Sequence, residues 1–109
     1  MLNPEVRKMD NIDANEIEIS VIRQAAEGNG RAFEIIYNAL AGKMFSLCLR
    51  YAGNTQDAED FFQEGFIKLY RNLSMYRKEG SFEGWARRIF ITTSLDLIKR
   101  RKNKEKLQK

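Results

Sequence analysis

Residues 33–51 read FEIIYNALAGKMFSLCLRY, and this stretch decides the fold. Its apolar residues recur at steps of three and four, which draws one apolar stripe along a long helix. The stripe consists of Phe33, Ile36, Tyr37, Leu40, Met44, Leu47, Cys48 and Tyr51. Cys48 lies on this stripe, so we interpret it as a small core residue rather than a reactive thiol.

Helical spacing continues on both sides of this stretch. A short helix is indicated from Glu16 to the strong stop at residues 28–30, Gly-Asn-Gly. A third helix is predicted from about Gln56 to Leu73, and a fourth from Ser81 at least to Arg101. No useful length of sequence alternates with period two, so no sheet is expected. The prediction is an all-α fold, a compact bundle of about four helices.

The fourth predicted helix has three faces. A core arc is expected to hold Phe82, Ala86, Ile89, Thr93 and Leu97. The opposite side carries a second apolar strip of Ile91, Leu95 and Ile98. Between them lies a mixed strip of Trp85, Arg88, Thr92 and Lys99, whose residue types suit a nucleic acid. Composition leaves open whether Trp85 belongs to this strip or is a core anchor.

Length and composition fit one ordinary domain. The chain has 109 residues, 43% of them apolar, which is enough for a single compact core. We divide it into a flexible leader at 1–14, a helical domain at 15–102 and the basic start of a linker at 103–109. Residues 99–109 carry +6, and since the whole chain carries +4, residues 1–98 carry −2. This polarity predicts one polyanionic partner and one basic partner.

The residues that most catalytic and metal sites need are scarce. The chain has no histidine and one cysteine, so the usual zinc, haem and imidazole-based sites lack their ligands. We expect no metal, no cofactor and no enzymatic activity. Apolar runs of about 18 residues are absent, and residues 1–19 are too acidic for a secretory signal. A soluble cytoplasmic protein without membrane insertion is expected.

The segment DAEDFFQEG, residues 57–65, carries four carboxylates without one Lys or Arg. Asp60 and Glu64 are four residues apart and share a helical face with Gln63, where like charges repel. An external basic partner would turn that repulsion into charge-assisted hydrogen bonds. Gly65 costs about 1 kcal/mol relative to alanine inside a helix, which predicts the close approach of another backbone.

A loop that mixes aromatic, cationic and hydroxyl side chains follows, SMYRKEGSF at residues 74–82. Such residues hold unstacked bases, because aromatic rings stack on them and cations attract the phosphates. The basic cluster at residues 99–102, KRRK, would add phosphate contacts that read no sequence.

The order of these features resembles the second conserved region of sigma factors, most closely that of the extracytoplasmic-function group. The resemblance covers about residues 32–102. It rests on the acidic Asp60-x-x-Gln63-Glu64-Gly65, then the loop, then Phe82-x-x-Trp85-x-x-Arg88-Ile89 and the basic cluster.

The resemblance implies a helical bundle with two partners, core RNA polymerase and promoter DNA. The acidic helix would dock on the clamp helices of the polymerase's largest subunit, through Asp57, Asp60, Phe61, Gln63 and Glu64. The loop would capture a flipped non-template base of the minus-ten element, which stabilises strand separation without hydrolysis. The expected DNA-binding residues are Tyr76, Arg77, Lys78, Ser81, Phe82, Trp85, Arg88, Thr92, Lys99, Arg100 and Arg101. An anti-sigma factor is a further partner that the resemblance implies.

Two departures from the family pattern are visible. Thr92 stands where many members have asparagine, and the chain stops before the helix-turn-helix domain that normally follows. Two other hypotheses fit the residues alone: a basic helical module that binds duplex DNA regardless of sequence, and a protein-interaction module that binds no DNA.

Overall fold

The computed structural model describes residues 12–108 and has four α-helices in that range. They are α1 (Ile19–Ala26), α2 (Gly30–Ala52), α3 (Thr55–Asn72) and α4 (Phe82–Gln108). Short 3-10 turns lie at Ala14–Glu16 and Leu73–Met75. These residues contain no strand, so the predicted all-α bundle of about four helices is confirmed.

Side-chain caps fix where the middle helices begin. The Asn29 side chain accepts a hydrogen bond from the Ala32 amide at 3.0 Å, and Asn54 accepts one from the Asp57 amide at 2.8 Å. Each bond satisfies an amide that the helix itself leaves unpaired. Helix α2 ends at Gly53 in the left-handed conformation, with φ at 79°. The connection from α2 to α3 is therefore a tight turn.

Helix α2 is the central core helix and packs against α1, α3 and α4. The predicted stripe is confirmed at its centre, where Ile36, Leu40 and Cys48 are fully buried. Its edges remain open to solvent, since Tyr37 and Tyr51 keep more than a third of their surface exposed. The helix is long and apolar enough to cross a membrane by composition alone, with a mean hydropathy of 1.2. A core helix passes the same test, and the packing on three sides accounts for its apolar residues.

Aromatic rings join α3 to α4. Phe90 is fully buried, with its ring centroid 5.0 Å from that of Phe66 and 6.2 Å from that of Phe62. A side chain at Gly65 would collide with the Phe90 ring. The prediction that another backbone approaches Gly65 is therefore wrong, because the close neighbour is this aromatic side chain.

The core face of α4 differs from the predicted arc. Phe82, Ala86 and Thr93 are buried as expected, but the predicted arc omitted Phe90. Ile89 and Leu97, which the arc included, are only half-buried. The face is rotated toward Phe90 because the missing side chain at Gly65 leaves room for that ring.

The predicted leader at 1–14 and the predicted linker at 103–109 differ in how far the structure agrees with them. Residues 1–11 of the predicted leader lie outside the described residues. Within the rest of that leader, Asp13 caps the first 3-10 turn, and Ala14 is buried in the core. At the other end, the predicted linker continues α4 as a helix through Gln108.

Candidate functional site

The acidic face of α3 consists of the exposed or half-exposed residues Asp57, Asp60, Gln63 and Glu64. Its opposite side is core, with Ala58 and Leu69 fully buried. The helix is capped by Asn54, whose side-chain amide nitrogen donates to an Asp57 carboxylate oxygen at 2.9 Å. The carboxylate of Asp57 also lies in the first turn, where a helix favours negative charge. The face is thus displayed on a regular helix anchored from behind.

Arg101 on α4 contacts two of these carboxylates. One guanidinium nitrogen pairs with Asp57 Oδ1, and the other lies 3.1 Å from Asp60 Oδ2. The guanidinium also sits 5.3 Å from the centroid of the Phe61 ring. Hydrogen bonds from Asn54 first, and from Arg101 second, lower the pKa of Asp57. The acidic face therefore has one internal cation that reading the local segment had not revealed.

The loop between α3 and α4 is held by few hydrogen bonds. The Tyr76 hydroxyl donates to the Gly80 carbonyl at 3.0 Å, which closes the turn. Lys78 and Gly80 both have positive φ, 60° and 81°. Ser81 Oγ accepts from the Gly84 amide at 2.9 Å, so this predicted DNA-binding residue also caps α4. Two exposed cations, Arg77 and Lys78, lie between the residues that make these bonds.

Three aromatic rings gather where the loop joins α4. The Tyr76 ring centroid lies 5.2 Å from that of Phe82 and 5.3 Å from that of Trp85. Phe82 and Trp85 stack at 5.8 Å with an interplanar angle of 23°. Trp85 is half-buried, so one part of its ring packs in the cluster and another part faces solvent, and its contact with DNA stays a prediction. The cluster packs the end of the loop against the start of α4.

Comparison with known proteins decides the family at this point. A family model described as Sigma-70 region 2 matches residues 36–104. The chain belongs to the sigma-70 region 2 family. The acidic face, the loop and the aromatic cluster all lie inside the matched residues of this region 2 chain.

Several curated relatives are extracytoplasmic-function (ECF) sigma factors. The ECF RNA polymerase sigma factor SigW of Bacillus subtilis is 35% identical over 81 residues, 74% of this chain and 43% of that protein. SigE of Mycolicibacterium smegmatis, also an ECF RNA polymerase sigma factor, is 43% identical over 61 residues, 56% of this chain and 23% of that protein. The RNA polymerase sigma-H factor of Pseudomonas aeruginosa is 33% identical over 79 residues, which are 72% of this chain and 41% of that protein.

These matches confirm the predicted resemblance to the ECF group. The region 2 chain spans less than half the length of these curated relatives. No solved structure matches it.

Two predicted contact residues of the region 2 chain are core residues instead. Phe61 was expected at the polymerase and Phe82 at DNA, but they are only 2% and 3% exposed. Their rings are covered by the bundle in the free chain, so contact of either ring with a partner stays a prediction. Phe61 supports the acidic face from below, and Phe82 supports the aromatic cluster.

Arg101 is a third residue whose surroundings differ from the prediction. It was expected to contact DNA with Lys99 and Arg100, which are exposed. Its guanidinium instead contacts the acidic face. The basic end of α4 therefore offers DNA fewer free cations than the sequence count indicates.

A groove of about 330 Å³ runs between α3 and α4 beside Trp85. The predicted DNA-binding residues Arg88 and Thr92 line one side of it, with Trp85. Lys68 and Asn72 on α3 line it as well, and sequence reasoning did not select them. The signal was their position three and seven residues after Gly65, which puts them on the side of α3 that faces α4.

Asn15 is another residue that sequence reasoning missed. Its side-chain oxygen accepts from the Glu83 amide at 3.0 Å, which caps α4 from a residue 68 positions away. The Glu83 carboxylate in turn binds Lys43 of α2 at 2.8 Å, and this bond raises the pKa of Lys43. No group of three possible metal ligands occurs among residues 12–108. The contacts of Asn15 and Lys43 with Glu83 fix the start of α4 from two sides.

Proposed function

We propose that this chain is the part of an ECF sigma factor that binds core RNA polymerase and holds melted promoter DNA in the cytoplasm. The acidic face binds the clamp helices of the polymerase's largest subunit. The loop and the strip of Trp85, Arg88 and Thr92 bind the non-template strand of the minus-ten element. The role is one of binding and strand separation, not catalysis.

The separation of the two surfaces on α3 is the observation that supports this proposal. Asp60 lies in the first half of the helix and Glu64 at its middle, and the loop follows its end at Asn72. From Asp60 to Asn72 the helix rises about 18 Å, at 1.5 Å per residue. A basic protein partner and a DNA strand can therefore occupy the two ends at the same time.

The chemistry of the loop end suits an unpaired base. Tyr76 and Trp85 supply aromatic faces, and each stacked base gains about 1–3 kcal/mol in comparable sites. Arg77 and Lys78 supply exposed cations for the adjoining phosphates. A base that leaves the duplex to stack here stabilises the separated strands.

The polymerase surface is tested by charge reversal at Asp60 and Glu64. Binding of the purified chain to bacterial core polymerase is titrated for the wild type and for the Asp60→Lys, Glu64→Lys double variant. We expect the double variant to bind at least ~10-fold more weakly, because two attractive contacts become repulsive. Circular dichroism spectra before the titration confirm that both proteins are helical.

A matched control separates the site from overall charge. Glu27→Lys with Glu34→Lys changes the net charge by the same amount at exposed positions outside the acidic face. This control is expected to bind like the wild type. Equal affinity of all three proteins would refute the docking surface. The acidic face is also the surface we propose for an anti-sigma factor, which would then compete with polymerase.

A further inference from the structure

Arg101 is the residue at which the end of α4 is last attached to the bundle. It is half-buried, whereas every residue from 102 to 107 is exposed. The last side chains of α4 that pack against the core are those of Leu97 and Ile98, one turn earlier. The Arg101 side chain can therefore leave the bundle without opening the core.

The acidic face has a covered half and an open half. One terminal nitrogen of Arg101 pairs with Asp57, and the other lies 3.1 Å from Asp60 Oδ2. The planar guanidinium is thus shared by two carboxylates that stand three positions apart on one side of α3. Among the described residues, Glu64 makes no ion pair. A basic partner therefore meets one free carboxylate and two that are already occupied.

The ion pairs of Arg101 are exposed enough to exchange with another cation. The side chain of Arg101 is 40% exposed, that of Asp57 36% and that of Asp60 59%. Ion pairs in such contact with water contribute little net free energy, and salt screens them. A cationic side chain of a partner can therefore take the place of the guanidinium.

Release of Arg101 leaves neither carboxylate buried without a partner. Asn54 keeps its hydrogen bond to Asp57 at 2.9 Å, and this bond is the larger cause of the lowered pKa of that carboxyl. Asp60 already has most of its side chain in water. Release also uncovers one side of the Phe61 ring, because the guanidinium lies over that ring at 5.3 Å from its centroid. The open form therefore presents the whole acidic face together with an aromatic surface.

We propose that Arg101 is an intramolecular competitor of core RNA polymerase for the acidic face, and that polymerase binding displaces it from Asp57 and Asp60. This inference rests on the proposed function, because it concerns the regulation of the same surface. A partner that needs both carboxylates binds only the molecules in which Arg101 has left. The apparent affinity is therefore reduced in proportion to the fraction of such molecules. Arg101 thus sets the affinity of the acidic face from within the chain.

The competition is tested by removing the competitor. Binding of the full chain to core polymerase is titrated at low and at high salt for the wild type and for Arg101→Gln, after circular dichroism has shown that both are helical. We expect Arg101→Gln to bind about threefold more tightly at low salt, because no side chain has to be displaced. The difference should shrink at high salt, since salt already weakens the ion pairs of Arg101. Lys106→Gln is the matched control, because it removes one exposed positive charge from the same helix end, and it is expected to bind like the wild type.

The contact of Arg101 with the acidic face is tested in the free chain, without polymerase. The wild type, Arg101→Gln, Asp60→Asn and the double variant are unfolded with urea. We expect the double variant to lose less stability than the sum of the two single losses, because each single change already breaks the same ion pair. Additive losses would overturn the proposal, since Arg101 would then not hold Asp60 in solution.

The outcomes separate the competition from the proposed function. If Arg101→Gln bound polymerase no more tightly than the wild type, or no more tightly than Lys106→Gln, the competition would be overturned. If the Asp60→Lys, Glu64→Lys variant still lost binding in that case, the proposed docking surface would stand. Undiminished binding by that charge-reversed variant would overturn both, because the acidic face would then not be the polymerase surface.

Discussion

The acidic face and the loop differ in what holds their shape. The acidic face stands on a regular helix whose other side packs in the core, with Gly65 against the buried ring of Phe90. The loop is closed by one hydrogen bond from Tyr76 and turns through positive φ at Lys78 and Gly80. A surface on a packed helix opens only with the bundle, whereas a lightly bonded loop moves alone. The difference indicates a preformed surface for the proposed polymerase partner and an adaptable one for the proposed DNA strand.

The packing behind the acidic face is tested at Gly65 of α3. Gly65→Ala is expected to destabilise the fold by about 1–3 kcal/mol, because the new methyl group displaces the Phe90 ring. Gly42→Ala is the control, since Gly42 is also inside a helix but has open space at its Cβ position. The control should stabilise by about 0.5–1 kcal/mol through helix propensity. Urea unfolding of the three proteins measures both effects, and equal stabilisation by both alanines would contradict the packing described here.

The loop side is tested at Gly80. Its φ of 81° is unfavourable for any residue with a side chain, so Gly80→Ala is expected to cost about 1 kcal/mol. Gly30→Ala is the control, because Gly30 starts α2 with ordinary φ and open space. Hydrogen exchange of the backbone amides is expected to rise at residues 76–81 and to remain unchanged in α3. A rise throughout α3 would mean that loop and helix open as one unit.

The smallest expected effect is the pH dependence at Asp57. Because its pKa is lowered in the folded state, Asp57 contributes stability fully above the ordinary carboxyl pKa of about 3.9. That contribution is lost as pH falls through the lowered pKa. The stability difference between wild type and Asp57→Asn, measured by urea unfolding, is expected to shrink below about pH 4. Arg101→Gln should reduce this dependence only in part, because Asn54 is the larger cause of the shift.

Local patterns predicted the helices, and they placed the two candidate surfaces on α3 and on the loop that follows it. Repeated apolar spacing located α2, and the stops at residues 28–30 and 53–55 separated the helices. The pattern was ambiguous at residues 89–91, where three apolar residues follow one another. Phe90 is the core member of this run because of a glycine on another helix, which periodicity within α4 does not reveal.

Contacts between distant residues were beyond sequence reasoning. Arg101 meets Asp60 from 41 residues away, and Asn15 caps α4 from 68 residues away. Neither pair shares a turn or a helix, so no spacing rule connects them. For the same reason Lys68 and Asn72 could be recognised as groove residues only when α3 was seen beside α4.

The buried position of Cys48 allows the rate at which this bundle opens to be measured. It is the one thiol in the chain, it is fully buried on α2, and burial raises its pKa. A thiol reagent reacts with an accessible thiolate, so the folded state protects Cys48 and only opened molecules are labelled. The labelling rate therefore counts openings of the core around α2, without any added probe. Binding of the proposed polymerase or DNA partner to the closed form should slow that rate roughly tenfold for every 1.4 kcal/mol of stability that it adds.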